Sequence, residues 1–425
     1  METERNASGE LLIGGVAASE LSAAFGLPLY VYDGERIRQQ YRRMAAAFQG
    51  FPHKIHYALK ANNNLNILRL LRQEGAGLDA VSIQEVRMGL LAGFQPDEIL
   101  FTPNCVHFSE ISEAVEAGVH INLDNLETLE QFGHTYGNRV PVCVRINPHI
   151  YAGGNAKIQT GHIDSKFGIS IHQLRHVLRI VRSYGMRVSG LHMHTGSDIL
   201  DADVFLQAAE VLLQAAFEFE ELQFLDFGSG FKVAYRPNDI TTNLESLGTK
   251  LGERLKAFYK EFGRQVEIRF EPGKYLVSEA GYFLVPVNVV KQTVANVFLG
   301  VDSGLNHLIR PMFYDAHHEV VNASRQGGET RVYTIVGYIC ETDTFARDRI
   351  LPQTQPGDLL AFCNAGAYCM TMASNYNSRV RPAEALVLNG RAMRIRRRET
   401  LEDQLRLQED LSAELLTEPA ANSAD

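Results

Sequence analysis

The feature that most constrains this chain is the alternation of eight short β-rich runs with segments of helical spacing. The runs are 54–59, 78–82, 98–102, 119–123, 142–146, 188–194, 222–227 and 266–271. Between them, 65–73, 111–116, 171–184, 204–219 and 251–262 carry apolar residues at three- and four-residue intervals. Parallel strands need long crossovers, usually helical, to return to the same sheet. Eight such units over roughly 240 residues is what a (β/α)8 barrel requires, with a doubly wound open sheet as the alternative. After about residue 282 the pattern changes: 283–290, 297–301, 331–336, 359–362 and 385–387 are β-rich, with Gly and Pro turns and little helix. The fold expected is α/β, a TIM-like barrel over 36–281 followed by an all-β domain over 282–399. The turn-rich, β-like stretch 11–31 places residues 1–35 with the β domain. The charged tail 400–425 reads as a frayed helix.

Composition excludes several functions. The chain has 425 residues, a formal net charge of −9 and no Lys/Arg cluster, so it lacks the concentrated basic footprint of a nucleic-acid binder. No apolar run approaches the ~18 residues of a membrane span. The five cysteines are odd in number and scattered, and the N-terminus Met-Glu-Thr-Glu has no signal-like pattern, so a reducing, cytoplasmic protein is expected. Cys363 and Cys369 have no partners at zinc-site spacing. Small molecules are the expected ligands.

Active sites of such barrels are built at the C-terminal ends of the strands, and the residues falling there are polar: Lys60, Ser82, Asn104, Asp124, Asn147, His194, Gly228-Ser229-Gly230 and Glu271. Singly, each has a bland reading as a cap or turn; together they suggest a site. Lys60 is either a solvated strand-end amine or, with its pKa lowered by apolar neighbours, a Schiff-base former. Gly228-Ser229-Gly230 suits backbone amides approaching a phosphate, or a plain tight turn. Glu271 is either paired with a base such as Lys274 or the acceptor for a ring nitrogen. His192 and His194 alternate, so on a strand they share one face. That leaves open a metal reading, which no carboxylate or Cys triad accompanies.

Several ordered motifs carry a resemblance: Tyr57-Ala58-Leu59-Lys60-Ala61-Asn62, Ser165-Lys166-Phe167-Gly168, Gly190-Leu191-His192-Met193-His194-Thr195-Gly196-Ser197, Glu271-Pro272-Gly273, Arg310-Pro311, Cys340-Glu341-Thr342-Asp343 and Gly366-Ala367-Tyr368. Tyr376-Asn377-Ser378-Arg379 and Arg381-Pro382-Ala383-Glu384 extend it. On these the chain resembles, over nearly its whole length, the fold-type III, alanine-racemase-like pyridoxal phosphate decarboxylases, in particular the diaminopimelate decarboxylase family.

The resemblance implies pyridoxal 5'-phosphate as cofactor, held covalently by Lys60, with His194 stacked on its ring and Glu271 at the ring nitrogen. It implies a phosphate site at Gly230, Ser197 and the backbone of Glu271, Gly273 and Lys274, and a Tyr368 that reaches phosphate and substrate. Lys274, Arg310 and Tyr314 match positions that receive a substrate carboxylate, and Glu341 one that receives the distal amino group. Cys340 matches a proton donor that enters from the partner subunit of a homodimer, although a buried structural thiol would be inert. The implied reaction is decarboxylation of meso-2,6-diaminopimelate to L-lysine. Related decarboxylases acting on ornithine, lysine, arginine or carboxynorspermidine are the nearest alternatives, followed by a racemase and a non-catalytic homologue. The chain departs from the family pattern in four places. Lys274 stands for Arg, Ile83-Gln84-Glu85 for Gly-Gly-Glu, Thr102-Pro103-Asn104 for His-Gly-Asn, and Gly-Ser-Gly for three glycines.

Overall fold

The computed structural model describes residues 3–150, 165–196, 199–200 and 202–411. Eight parallel strands, β1 (His53–Ala58), β2 (Gly77–Ala80), β3 (Ile99–Phe101), β4 (His120–Leu123), β5 (Val142–Asn147), β6 (Val188–His192), β7 (Phe224–Asp226) and β8 (Glu267–Phe270), pair in chain order. β8 returns to β1 through Ile268↔His53 and Phe270↔Ile55, so the sheet closes and the open-sheet alternative is excluded. Closure leaves no edge, and most strand residues are buried, as the near-continuous apolar runs require.

The loops leaving the strands start helices with their own polar residues. Asn64, Ser82, Asn125 and Asn243 each accept a hydrogen bond from a backbone amide of the following helix. For Ser82 the cap reading therefore holds. After β8 only the short helix Lys274–Val277 follows. The eighth place in the outer ring is taken instead by helix Gly34–Ala47, which packs between Leu65–Gln73 and Leu244–Phe262.

Strand β9 (Gly281–Gln292) opens the second sheet, whose order is Thr344–Pro352, Thr330–Val336, Val297–Val301, β9, Leu29–Asp33, Ala383–Leu388 and Arg391–Arg396. Leu29–Asp33 pairs antiparallel with β9 and parallel with Ala383–Leu388, so an N-terminal strand does join this sheet. The stretch 11–31 is not wholly β-like, however: Ala18–Phe25 is helical. Strands Val320–Asn322, Thr344–Pro352 and Arg391–Arg396 were not legible in the sequence. Thr344–Pro352 shows why, because Arg347, Asp348 and Arg349 interrupt its apolar pattern and Asp348 sits at φ 54°. Such charges and irregularities on an outer strand discourage edge-to-edge pairing with another chain.

Two contacts fix the β domain on the barrel mouth. Fully buried Glu384 accepts from Tyr32 Oη at 2.6 Å and Asn64 Nδ2 at 3.0 Å, and also pairs with Arg396. Beside it, Asn62 Nδ2 donates to Gly366 O at 3.1 Å and Tyr368 N to Ala61 O at 2.8 Å. The loop 366–368 is thereby laid on the turn that carries Lys60. Among the described residues no helix is long and apolar enough to cross a membrane. The tail begins with helix Leu401–Leu405, started by Thr400 and Asp403 in a capping box.

Candidate active site

A cleft opens where these two parts meet, with about 410 Å³ of empty space counting the open solvent at its mouth. Lys60, His194, Ser229, Gly230, Glu271, Gly273, Lys274 and Tyr368 all line it. Residues far apart in the chain are gathered because successive parallel strands deliver their last residues to one rim.

Lys60 lies in the turn Leu59–Ala61 immediately after β1, with its side chain 42% exposed to the cavity and Nζ 3.2 Å from Asp79 Oδ2. The expected lowering of its pKa is not found. Burial pulls the amine down, but Asp79, Tyr368 and Glu271 outweigh it and leave the pKa raised. Asp79 is a component that the sequence reading missed. Its other oxygen accepts from Thr102 Oγ1, and burial, with Glu271 nearby, raises its own pKa. The overlooked signal is a carboxylate inside an apolar strand, Leu78-Asp79-Ala80; Arg145 in β5 and Asp226 in β7 repeat it.

Glu271 follows β8 and is 7% exposed. Its Oε2 lies 3.0 Å from His192 Nε2, while Oε1 is buried and accepts no hydrogen bond among the described residues. Burial raises its pKa, and Lys60, Arg145 and Arg269 limit the rise. The pairing with Lys274 considered from sequence is replaced by His192. The two histidines do not share a strand face, because β6 ends at His192. His194 instead accepts at Nδ1 from Ser229 N at 3.3 Å. Burial, with Arg145 adding to it, pushes both imidazoles well down, so both are neutral. The carboxylates that the sequence reading did not find beside the histidines are present: His192, Asp226 and Glu271 bring ligand-type atoms within 4.8 Å of one another, with the charges of Lys60, Arg145 and Arg269 acting on Glu271.

In the turn after β7, Gly228 has φ 61° and Gly230 φ 123°, whereas Ser229 stays outside the left-handed region, so a serine is tolerated there. A Cβ on Gly230 would sit 2.1 Å from Gly196 O, and one on Gly273 2.9 Å from Ala61 Cβ. Both positions are bare backbone by necessity.

Toward the β domain, Arg310 in helix Arg310–Tyr314 is 7% exposed, and its guanidinium lies 5.9 Å from the Tyr314 ring and 5.5 Å from the Tyr235 ring. Lys274 Nζ lies 5.9 Å from the same Tyr235 ring. The Tyr235 ring is thus within 5.9 Å of both cations; in sequence it carried no signal. Cys340 and Glu341 do not line the cavity of their own chain. Both are exposed: Cys340 Sγ is 3.3 Å from Asn377 Nδ2, and Glu341 Oε1 accepts from Tyr376 Oη at 3.0 Å. Cys340 is thus not the buried inert thiol weighed above. Ser197 lies outside the described residues.

Pyridoxal phosphate requires an amine, an acceptor for its ring nitrogen, and a close approach of backbone to its phosphate. Lys60, the unpartnered Oε1 of Glu271 and the side-chain-free positions Gly230 and Gly273 fit all three. A closed (β/α)8 barrel with this mouth and a β domain laid across it is a pyridoxal-dependent enzyme of the alanine-racemase-like class. Consistently, residues 34–278 match the family described as "Pyridoxal-dependent decarboxylase, pyridoxal binding domain". The chain belongs to the diaminopimelate decarboxylase family. It is 40% identical over 415 residues to the diaminopimelate decarboxylase of Methanothermobacter thermautotrophicus, covering 95% of this chain and 97% of the relative. It is 37% identical to that of Pseudomonas fluorescens, covering 92% and 95%. Among solved structures, diaminopimelate decarboxylase from Helicobacter pylori complexed with L-lysine superposes with a TM-score of 0.85 at 33% identity, covering 92% of this chain and 98% of that one. The enzyme from M. jannaschii in co-complex with L-lysine gives 0.88 at 31% identity, covering 97% and 98%.

Proposed function

We propose that this chain, as a soluble cytoplasmic homodimer, decarboxylates meso-2,6-diaminopimelate to L-lysine and carbon dioxide, the last step of lysine synthesis, with pyridoxal 5'-phosphate held at Lys60. The observation that carries the reading is the cavity joining Lys60, the free oxygen of Glu271 and the glycine turn, in a chain that matches diaminopimelate decarboxylases end to end. The organisation that goes with it is a barrel over 36–281, a β domain over 282–399 joined by 1–35, and a tail over 400–425.

When bound, the cofactor supplies an electron sink for the pair released as the carboxylate leaves. Glu271, made more basic by burial, presents Oε1 to the ring nitrogen and keeps a proton there. Neutral His194 offers a flat, uncharged face to the ring. Asp79, fixed by Thr102, holds Lys60 Nζ and its proton at the cavity mouth. Gly230, Ser197, Gly273 and Lys274 would hold the phosphate when the cofactor is bound, and Tyr368, which lines the same cavity, would reach phosphate and substrate. Arg310, with Tyr314, takes the carboxylate that is retained, for which a guanidinium offers a two-donor fork; Lys274 contributes a point charge where a fork is usual. The partner subunit's Cys340 returns a proton to the carbon that lost its carboxylate. The partner subunit's Glu341 accepts the distal ammonium.

The test is carbon dioxide release and amine product identity with meso-diaminopimelate beside L-lysine, L-ornithine, L-arginine and carboxynorspermidine, pyridoxal phosphate being added. Lysine formed from diaminopimelate alone is the expected result. Turnover of another substrate instead moves the specificity to Lys274 and the altered loops, and no turnover of any removes the reading.

A further inference from the structure

We propose that His192 is a positioning residue for the cofactor ring, clamping one oxygen of Glu271 so that the other is presented to the ring nitrogen. This rests on the reading of Glu271 given above and assigns a separate task to the first histidine of the His-Met-His motif. His192 ends β6 and Glu271 follows β8, so their 3.0 Å contact spans the intervening strand β7. The two side chains are 1% and 6% exposed, so the bond is largely shielded from solvent. An ionised carboxylate only accepts, so Nε2 carries the hydrogen. The terminal torsion of a glutamate is broad and nearly two-fold, and left alone it would not select an orientation. One fixed donor on Oε2 selects it, leaving the buried Oε1 without a partner.

A second pressure makes the clamp necessary. Asp226 at the end of β7 brings a buried carboxylate into the same cluster, where its Oδ1 accepts from Gly228 N at 2.8 Å and its Oδ2 has no hydrogen-bond partner among the described residues. Two carboxyl groups that close repel, and burial together with Glu271 raises the proton affinity of Asp226. The His192 N–H draws Glu271 to one side of this pair.

The experiment compares His192→Leu, His192→Gln, Glu271→Gln and the double variant His192→Leu/Glu271→Gln. It measures pyridoxal phosphate affinity by titrating apoenzyme, the visible absorbance of the holoenzyme, and kcat and KM for meso-diaminopimelate. For His192→Leu, affinity and kcat are each expected to fall about tenfold or more, with an altered visible band and KM held within about twofold. His192→Gln, which keeps an N–H at similar reach, should recover most of the loss. In the Glu271→Gln background, His192→Leu should add little. If His192→Leu leaves cofactor affinity and spectrum unchanged while Glu271→Gln alters them, only this inference is overturned; additive losses in the double variant overturn it as well. An inert Glu271→Gln overturns it together with the reading of Glu271. Should His192→Leu not fold, a His192→Gln enzyme with unchanged melting temperature but losses as large as those of Glu271→Gln likewise overturns it.

Discussion

At Lys60 the sequence and its surroundings pull in opposite directions. A strand-end amine among apolar residues would lose its proton easily, yet the two carboxylates that β2 and β8 deliver beside it hold the proton on. Covalent attachment therefore has to draw that proton away, and Asp79 is the nearest acceptor, at 3.2 Å. Lys60→Ala is expected to abolish the Schiff-base absorbance that the parent protein develops with added pyridoxal phosphate, leaving only that of the free cofactor, and to lower turnover by about a thousandfold or more; an unchanged Schiff-base band removes Lys60 from its role. Glu85 gives a prediction of a different kind. Burial raises its pKa to about 7 from 4.5, with Asp79 adding to the shift and the Val81 amide and Lys60 opposing it. The folded state thus binds this proton more tightly than the unfolded chain does. Its contribution to stability is complete below about pH 4.5 and is lost as pH rises through about 7. Relative to Glu85→Gln, the parent protein should lose melting temperature across that window, and parallel pH curves for the two would contradict this. Lys60, His194 and Glu271 were legible because each stands where an apolar run ends. Asp79, Arg145 and Asp226 were not, because a charge inside a buried strand looks like an interruption until the barrel closes and gives it partners.

Elements were legible where one face repeats and obscure where their position in the sheet changes the pattern. Strands β1 and β5 were read from runs in which buried positions dominate, whereas the charged outer strand Thr344–Pro352 hides its own period. The helix that completes the outer ring was not read from the sequence, since Gly34–Ala47 precedes the first barrel strand and its place in the ring is set by closure. Its docking on Leu244–Phe262 uses a glycine contact: a Cβ on Gly248 would lie 1.9 Å from Ala47 O. Alanine is favoured over glycine within a helix by about 1 kcal/mol, but overpacking a buried crossing costs about 1–3 kcal/mol or more. Gly248→Ala should therefore destabilise the protein on balance. Gly252, one turn along, has only Phe51 ring carbons 3.6 and 3.9 Å from a new Cβ, so Gly252→Ala should be neutral or stabilising. Thermal or denaturant melts of the two variants check the pair, and the same sign for both would refute the packing argument.

At the scale of the whole molecule, the machinery proposed above is divided between two surfaces, as the proposed homodimer requires. Lys60 and Glu271 line the cavity at the barrel mouth and the Arg310 charge acts on Tyr368 beside them, while Cys340 and Glu341 stand on the exposed face of the β domain with Tyr376 and Asn377. Hydrogen bonding to Glu341, with Cys340 adding to it, raises the Tyr376 pKa to about 12, so this face is a linked polar cluster and not a set of independent side chains. Beside the buried Arg310, Met312 and Phe313 are 43% and 47% exposed, an apolar rim at the site's margin. A two-fold dimer in which each β-domain face covers the other chain's barrel mouth would bury both groups at once, because isologous contact repeats every such pairing. Neither Lys60→Ala nor Cys340→Ala homodimers should then turn over substrate at more than a small fraction of the parent rate. Each mixed dimer would nevertheless contain one site with both groups intact. If subunits exchange at random in an equimolar mixture, half the dimers are mixed and activity should return to about a quarter of the parent value. Sedimentation of each variant shows whether dimers persist, and a mixture that exchanges subunits but stays inactive rules out the shared site.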